Sequence, residues 1–364
     1  MIVSTLEAPA ERPARIIGVG NAVVGESYSQ DDLLDMMSIE DPRIASVFRN
    51  SAIERRHLSL PPETGPGTRP PESQGGLLRK HTTQGIAMGV AAVTDCVKEI
   101  GADLSDIGYL VCVTSTGFLT PGFSALLLRA LNLSPHCGRL DVVGMGCNAG
   151  LNGLIATTAW SRANPGRLAV MACVEVCSAA YVMDGTMRSA VVNSLFGDGA
   201  AAAAIVTDPG TAELEAPAGP AVLKFSSMMI PEALDAMRYE WSDEHGKFSF
   251  FLDREIPYVI GANCETALER LLEGTGVLRK DVSHWLVHSG GKKVIDSVMI
   301  NLGLTRHDVR HTRSVLRDYG NLSSGSFLFS YDRLLKERVP EPGEIGVLMT
   351  MGPGSTIELA LIRW

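Results

Sequence analysis

The sequence predicts an α/β fold made of two matched halves, and three observations carry that reading. Short buried-strand patterns alternate with helical repeats along the chain. At 364 residues, 45% of them hydrophobic, the chain is too long for one ordinary core, so two packed units are expected. The strand-and-turn pattern of the first half then returns in the second. DLSDIGYLVCVTSTG at 103–117 is echoed by RKDVSHWLVHSGG at 279–291, and FGDGAAAAAIV at 196–206 by EIGVLMTMGPGSTIELALI at 344–362. Such an echo points to duplication, with the halves back to back and a site where they meet. The divide falls in the Pro/Gly/Ala-rich stretch 208–221, giving halves 1–207 and 208–364.

Composition removes several function classes. A net charge of −9, with no basic run alternating with aromatics, argues against a nucleic-acid surface. No uninterrupted apolar run reaches ~18 residues and no basic segment leads an apolar one, so neither a membrane span nor export is expected. Seven cysteines, an odd number without a CxxC pair, indicate a reducing, cytoplasmic setting without disulfides. Cys173 and Cys177 lack histidine partners at ligand spacing, so no metal is expected.

In chain order, residues 16–19 read as a first strand, and glycines 18, 20 and 25 do not fit GxGxxG, which dismisses a dinucleotide site. A helix is expected near 31–37. Residues 61–76 form a Pro/Gly-rich surface loop, with Arg55, Arg56 and Lys80 near its ends. Those cations are either phosphate ligands for a nucleotide carrier or a solvated basic face. Ile86, Val90, Val93, Val97 and Ile100 mark a helix over 82–100 with one buried stripe. A strand at 107–114 hands over through STGFLTPG to a helix at 123–131. Leu140, Val142 and Val143 read as a short buried strand, followed by a helix over 148–160. A strand at 167–173 and a glycine turn in 196–206 running into another strand complete the half, and the alternation predicts a largely parallel sheet covered on both faces.

Cys147 stands at the junction of that short strand and its helix, between Gly146 and Asn148. Unpaired N–H groups and the positive end of the helix dipole favour thiolate over thiol, which prepares a nucleophile. A lone cysteine in an apolar run is commonly inert core; the strand–Gly–Cys–helix setting sets this one apart. His288 closes a strand at 285–287 ahead of a helix starting near Lys292, and Asn321 sits in YGNLSSGS, which opens a helix over 327–335. Taken singly, such a histidine is a structural donor and such an asparagine an N-cap. Strand ends in open sheets converge on the ligand crevice, however, so Cys147, His288 and Asn321 are expected together, with Gly352-Pro353-Gly354 forming another loop of the site.

GMGCNAGL around Cys147, SLFGDGAAA around Phe196, HSGGKKV from His288, YGNLSSGS around Asn321 and MGPGST near the end occur in one order across nearly the whole chain. Together they resemble the type III polyketide synthases. The resemblance implies a thiolase-like, duplicated αβαβα layered architecture with Cys147, His288 and Asn321 as catalytic triad. It implies gatekeeping rings at Phe196 and Phe250, and a cyclisation pocket at Ser115, Thr116, Thr120, Ala180, Trp241 and Ser323, with Trp241 reducing its volume. Gly290, Gly352 and Gly354 would shape the substrate loops. Arg43 and Arg49 would hold coenzyme A, and Lys292 is added to them by its position.

The implied activity is acyl transfer in which malonyl-CoA is both starter and extender. Decarboxylative condensation gives a tetraketide that closes to 3,5-dihydroxyphenylacetyl-CoA, with no metal or redox cofactor beyond the coenzyme A of the substrates. The resemblance also implies a homodimer, with Thr120 directed towards the neighbouring subunit's pocket, and enoyl-CoA hydratase-like accessory proteins as partners. Open alternatives are another bacterial type III synthase making a resorcinol, phloroglucinol or pyrone, a non-catalytic thiolase-fold subunit that binds acyl-CoA, and a cysteine hydrolase.

Overall fold

The computed structural model describes residues 12–65, 69–209, 219–337 and 340–364. The first half runs β1 (Ala14–Ala22), β2 (Ser27–Ser29), α1 (Gln30–Met36), α2 (Pro42–Arg49), β3 (Arg55–His57), α3 (Gln74–Glu99), β4 (Ile107–Thr114), α4 (Phe123–Ala130), β5 (Gly138–Val143), α5 (Ala149–Ala163), β6 (Leu168–Glu175), α6 (Met187–Asn193) and β7 (Gly199–Thr207). The second continues β8 (Ala221–Met229), β9 (Met237–Ser242), β10 (Lys247–Leu252), α7 (Ile256–Leu272), β11 (Val282–Val287), α8 (Lys292–Asn301), α9 (Arg310–Tyr319), α10 (Ser326–Glu337), β12 (Ile345–Gly352) and β13 (Thr356–Arg363).

Nine strands join in the order β11-β12-β13-β8-β1-β7-β6-β4-β5. Read outward from the centre, β1-β7-β6-β4 in one half is matched by β8-β13-β12-β11 in the other, which is the duplication that the sequence echoes announce. The halves meet where β1 and β8 run antiparallel, Arg15 opposite Ala221. Most of the expected divide, 210–218, lies outside the described residues.

The expectation of a largely parallel sheet is corrected. β4–β5, β4–β6 and β11–β12 are parallel, whereas the other five junctions are antiparallel. Strands covered on both faces read as continuous apolar runs whichever way their neighbours point, so the sequence did not carry strand direction.

Period-2 alternation sorts the strands between layers. Val111, Val113, Met171 and Cys173 face inward with Leu286, Leu348 and Ala360, onto Leu151 and Leu154 of α5 and Phe327 and Leu328 of α10. Leu110, Cys112, Val170 and Ala172 face outward onto Ala92 and Val93 of α3 and Phe123 and Leu127 of α4. In the other half Trp285, Val287, Val347 and Met349 pack on Ile260 and Leu268 of α7 and Ile295 and Val298 of α8. The result is five layers with α5 and α10 in the middle, and both of those helices begin at the site.

Two element expectations shift. α3 starts at Gln74, capped by the Ser73 hydroxyl that accepts from the Gly76 N–H, so the end of the supposed loop 61–76 is helix. β5 is the edge strand of the sheet and is not buried: Leu140 is 37% and Val143 47% exposed. Among the described residues no helix is long and apolar enough to cross a membrane, and all seven cysteines are free.

Candidate active site

Between β5 and α5 the chain makes a single 3-10 turn, Gly146–Asn148, with Cys147 buried at its centre. Gly146 has φ +74°, and a Cβ there would meet Pro353 Cδ at 2.2 Å, so only glycine lets the two loops touch. Gly352 lies just as close: a Cβ on it would stand 3.0 Å from the Cys147 nitrogen and 2.2 Å from Asn148 Oδ1. The Gly-Pro-Gly loop after β12 is thereby seated against the backbone of the nucleophile turn.

The segment Asn321 to Ser326, which leads into α10, distributes its polar side chains over the whole site. Asn321 and Ser323 stand close enough to the Cys147 sulfur to hold its pKa down. Ser324 Oγ donates to Glu175 Oε1 at 2.6 Å. Ser326 Oγ pairs with His288 Nδ1 at 2.5 Å. The Ser323 N–H donates to Asn321 Oδ1 at 2.8 Å, which fixes the carboxamide and leaves its NH2 for the site. Ser323 holds φ +49°, a left-handed conformation that a non-glycine residue adopts at a cost.

His288 extends β11, its N–H donating to Met349 O of β12 at 2.7 Å. With Nδ1 committed to Ser326, Nε2 is the ring nitrogen left for chemistry. Gly290 lies against that ring, where a Cβ would come 3.0 Å from Cδ2. Both His288 and Asn321 are buried and contribute no wall to the open cavity.

That cavity, about 370 Å³, is predominantly apolar and is lined by Cys147 with Ser115, Thr116, Ala180, Phe196, Phe250 and Ser323, all expected from the sequence. Phe196 and Phe250 meet edge to face, ring centres 5.8 Å apart at 90°. Gly144, Gly146 and Pro353 also line it, as do Cys177, Val192, Met237, Arg238 and Tyr239, which were not anticipated. Arg238 is ion-paired with Glu240, which also takes Arg188, and both guanidinium groups lie over Phe251.

Trp241 is a correction. Its ring is half-exposed, packs on Phe248 and donates Nε1–H to Asp243 at 2.9 Å, outside the cavity. Tyr239, two residues earlier on the same face of β9, takes the cavity position, because a pairing register that sequence does not fix decides which residue of a face reaches the site. Thr120 is exposed in its turn and does not line the chain's own cavity. Gly354, at φ +76°, turns the loop beyond Pro353.

The coenzyme A cations are not at the cavity either. Arg43 pairs with Asp41 and Arg49 with Asp31, each at 2.9 Å on the surface, and Lys292 is exposed at the start of α8. Of the cations flanking the loop, Arg56 is fully buried and Lys80 is paired with Glu72 at 2.5 Å; only Arg55 is exposed.

Burial dominates the electrostatics. It pushes the Cys147 thiol up to about 12, helped by the nearby Glu175 charge and opposed by Ser323 and Asn321. Burial also lowers His288 to about 3. A lone thiolate or a lone imidazolium is therefore costly here. The helix-end field expected to favour the thiolate is outweighed by desolvation. Glu175, fully buried at the end of β6, is raised by burial although Ser324 and the Ser115 N–H bond it and the Thr116 and Ser323 hydroxyls hold its pKa down. Sequence reading passed over Glu175, yet a carboxylate closing the apolar strand LAVMACVE was the available signal.

The N-terminal domain model of chalcone and stilbene synthases matches residues 72–209, and the C-terminal domain model of the same enzymes matches 222–364. A 3,5-dihydroxyphenylacetyl-CoA synthase of Streptomyces toyocaensis is 63% identical over 356 residues, 98% of this chain and 91% of that protein. One from Amycolatopsis balhimycina is 62% identical over 350 residues, 96% and 93% of the two. Among solved structures, the C-terminal type III polyketide synthase domain of Steely1 from Dictyostelium superposes with a TM-score of 0.87 at 28% identity, covering 96% of this chain and 99% of that one.

Proposed function

The chain belongs to the chalcone and stilbene synthase family, an acyl-transferring type III polyketide synthase of thiolase-like fold, and from that premise we propose that it converts malonyl-CoA to 3,5-dihydroxyphenylacetyl-CoA. The observation that carries the product is identity of 62–63% over nearly the full chain to enzymes named for it. The cavity supports it. At about 370 Å³ it lies at the low end of small-molecule sites, roughly 300–1,000 Å³, and suits a short ketide better than an aromatic starter.

In the proposed cycle Cys147 gives its proton to His288 Nε2 and attacks the malonyl thioester; coenzyme A departs as thiolate and is protonated by solvent, so Nε2 keeps its proton. The Cys147 N–H is the nearest backbone donor for the tetrahedral oxyanion. An extender malonyl-CoA then loses CO2, and the electron pair of the broken C–C bond becomes a thioester enolate. His288 Nε2–H and the Asn321 NH2 stabilise its oxygen. The enolate carbon attacks the acyl group on Cys147 and the sulfur leaves as thiolate, ready for another round. Phe196 and Phe250, set edge to face at the wall, favour loss of the carboxylate by excluding water. The chemistry asks for no cofactor other than the coenzyme A carried by substrate.

We further propose a homodimer. Leu140 and Val143 on the edge strand, with Met145 and Phe118 at 37% and 77% exposure, form an apolar face beside an unpaired sheet edge that a second copy would cover. Leu140→Glu with Val143→Glu is expected to shift the mass measured by light scattering from dimer to monomer; an unchanged mass removes this face from the interface.

Incubation with malonyl-CoA as sole substrate, with products identified by mass spectrometry, tests the activity. A dihydroxyphenylacetyl thioester is expected. A pyrone, a resorcinol or free malonate overturns the product assignment, and so does dependence on a different acyl-CoA starter.

A further inference from the structure

Arg56 heads the fully buried side chains by volume among the described residues, and its guanidinium sits at the C-terminal end of α6. Nη1 donates to the carbonyls of Asn193 at 2.6 Å and Phe196 at 2.7 Å and to the Tyr181 hydroxyl at 2.8 Å; Nη2 donates to Gln30 Oε1 at 2.7 Å. Tyr181 donates its own hydroxyl proton to the same Phe196 carbonyl at 2.6 Å. The Gln30 amide in turn takes the Ser194 carbonyl at 2.8 Å.

A cation at a helix C-terminus satisfies unpaired carbonyls, and that accounts for Asn193, while the Gln30 amide serves Ser194. It does not account for two donors on Phe196, three residues past the helix. Nor does it account for burying a full charge whose Nε has no partner, which is costly.

The chain around Phe196 does account for them. The Gly197 N–H donates to the Asn321 carbonyl at 3.0 Å, and the Asn321 N–H donates to the Leu195 carbonyl at 2.9 Å, a two-bond bridge that flanks the gate ring. The alkyl part of Arg56 lies under Gly320, where a Cβ would fall 2.7 Å from Arg56 Cδ. The Gly320 carbonyl accepts from Ser289 Oγ at 3.3 Å, next to His288. One side chain therefore backs the gate from the first half and the approach to the catalytic amide from the second.

We infer that Arg56 is the positioning residue that holds the Phe196 ring and the Asn321 carboxamide in register with each other, with Tyr181 as its auxiliary donor. This rests on the reading in which Asn321 stabilises an enolate made from malonyl-CoA. Misplacing that amide slows decarboxylation while leaving attack by Cys147 intact, a separation that a merely structural residue does not produce.

The test measures three quantities on the full-length enzyme: acylation of Cys147 by malonyl-CoA from intact protein mass, release of CO2 from malonyl-CoA, and the thermal midpoint. Tyr181→Phe changes no volume beyond one oxygen and is expected to keep the wild-type acylation rate, with a midpoint lowered only by the lost buried hydrogen bonds. Its CO2 release is expected to fall about three- to tenfold, the factor one neutral hydrogen bond is worth. Arg56→Lys keeps the charge without the fork and is expected to lose more in the same step. Equal losses in acylation and CO2 release, or CO2 release unchanged in both variants, overturn the inference. If the wild-type enzyme releases no CO2 from malonyl-CoA, the proposed function fails instead, and the wild-type control shows which of the two has failed.

Discussion

Ser324 Oγ donates to Glu175 Oε1 at 2.6 Å, although 149 residues separate the two in the chain. The bond ties the end of β6 to the start of α10 and so joins the halves directly behind the nucleophile. Ser324→Ala leaves a fully buried carboxyl short of a donor, and a loss of about 1–3 kcal/mol is expected in a urea titration. An unmoved midpoint would show the bond to be dispensable.

Asn321→Asp separates the two jobs of that side chain. Aspartate keeps the Oδ1 that accepts from the Ser323 N–H, so the turn survives, but the donor is replaced by an acceptor that repels the enolate. Decarboxylation is expected to slow by about 10²–10³, as for removal of an oxyanion donor, with acylation of Cys147 retained. Wild-type CO2 release in the variant would take Asn321 out of the mechanism.

His288→Gln tests the transfer of the Cys147 proton. Without an imidazole to take the proton, the Cys147 thiol stays where burial has pushed it, and iodoacetamide labelling at pH 7 is expected to slow at least about tenfold and to gain rate only at higher pH. Labelling as fast as in the wild type would mean that His288 has no part in forming the thiolate.

The two aromatic residues of β9 predict opposite outcomes. Tyr239→Ala enlarges the cavity and is expected to let a bulkier acyl-CoA starter be extended, whereas Trp241→Ala, on the outer surface, leaves the product profile as it was. Product mass spectra with a panel of starters decide; a reversed pattern would restore Trp241 to the pocket.

Acid stability follows from His81, buried against Phe123 with Nε2 unpartnered and Nδ1 3.2 Å from Thr116 Oγ1. Burial lowers it from 6.5 to about 4. Below 6.5 the unfolded chain binds a proton that the folded chain refuses, so this stability is complete above pH 6.5 and falls until about pH 4, by about 3 kcal/mol in all. Thermal midpoints across that window are expected to drop less steeply in His81→Gln; parallel curves would contradict the assignment.

The residues by themselves determined the duplicated α/β plan, the strand-to-helix placement of Cys147 and the turns carrying His288 and Asn321, because each is written in local periodicity, glycine turns or a contiguous motif, while the family resemblance pointed to Phe196 and Phe250, which line the cavity. Tertiary structure alone decided what depends on distant strands and on exclusion of water. The antiparallel junctions, the exposed edge position of β5 and the choice of Tyr239 over Trp241 are matters of pairing and register between segments far apart in the chain. Burial of Arg56 and Glu175, and the shifts of Cys147 and His288, arise because desolvation is a property of the assembled interior, where a charge that is cheap in an open chain persists only if other segments supply its partners.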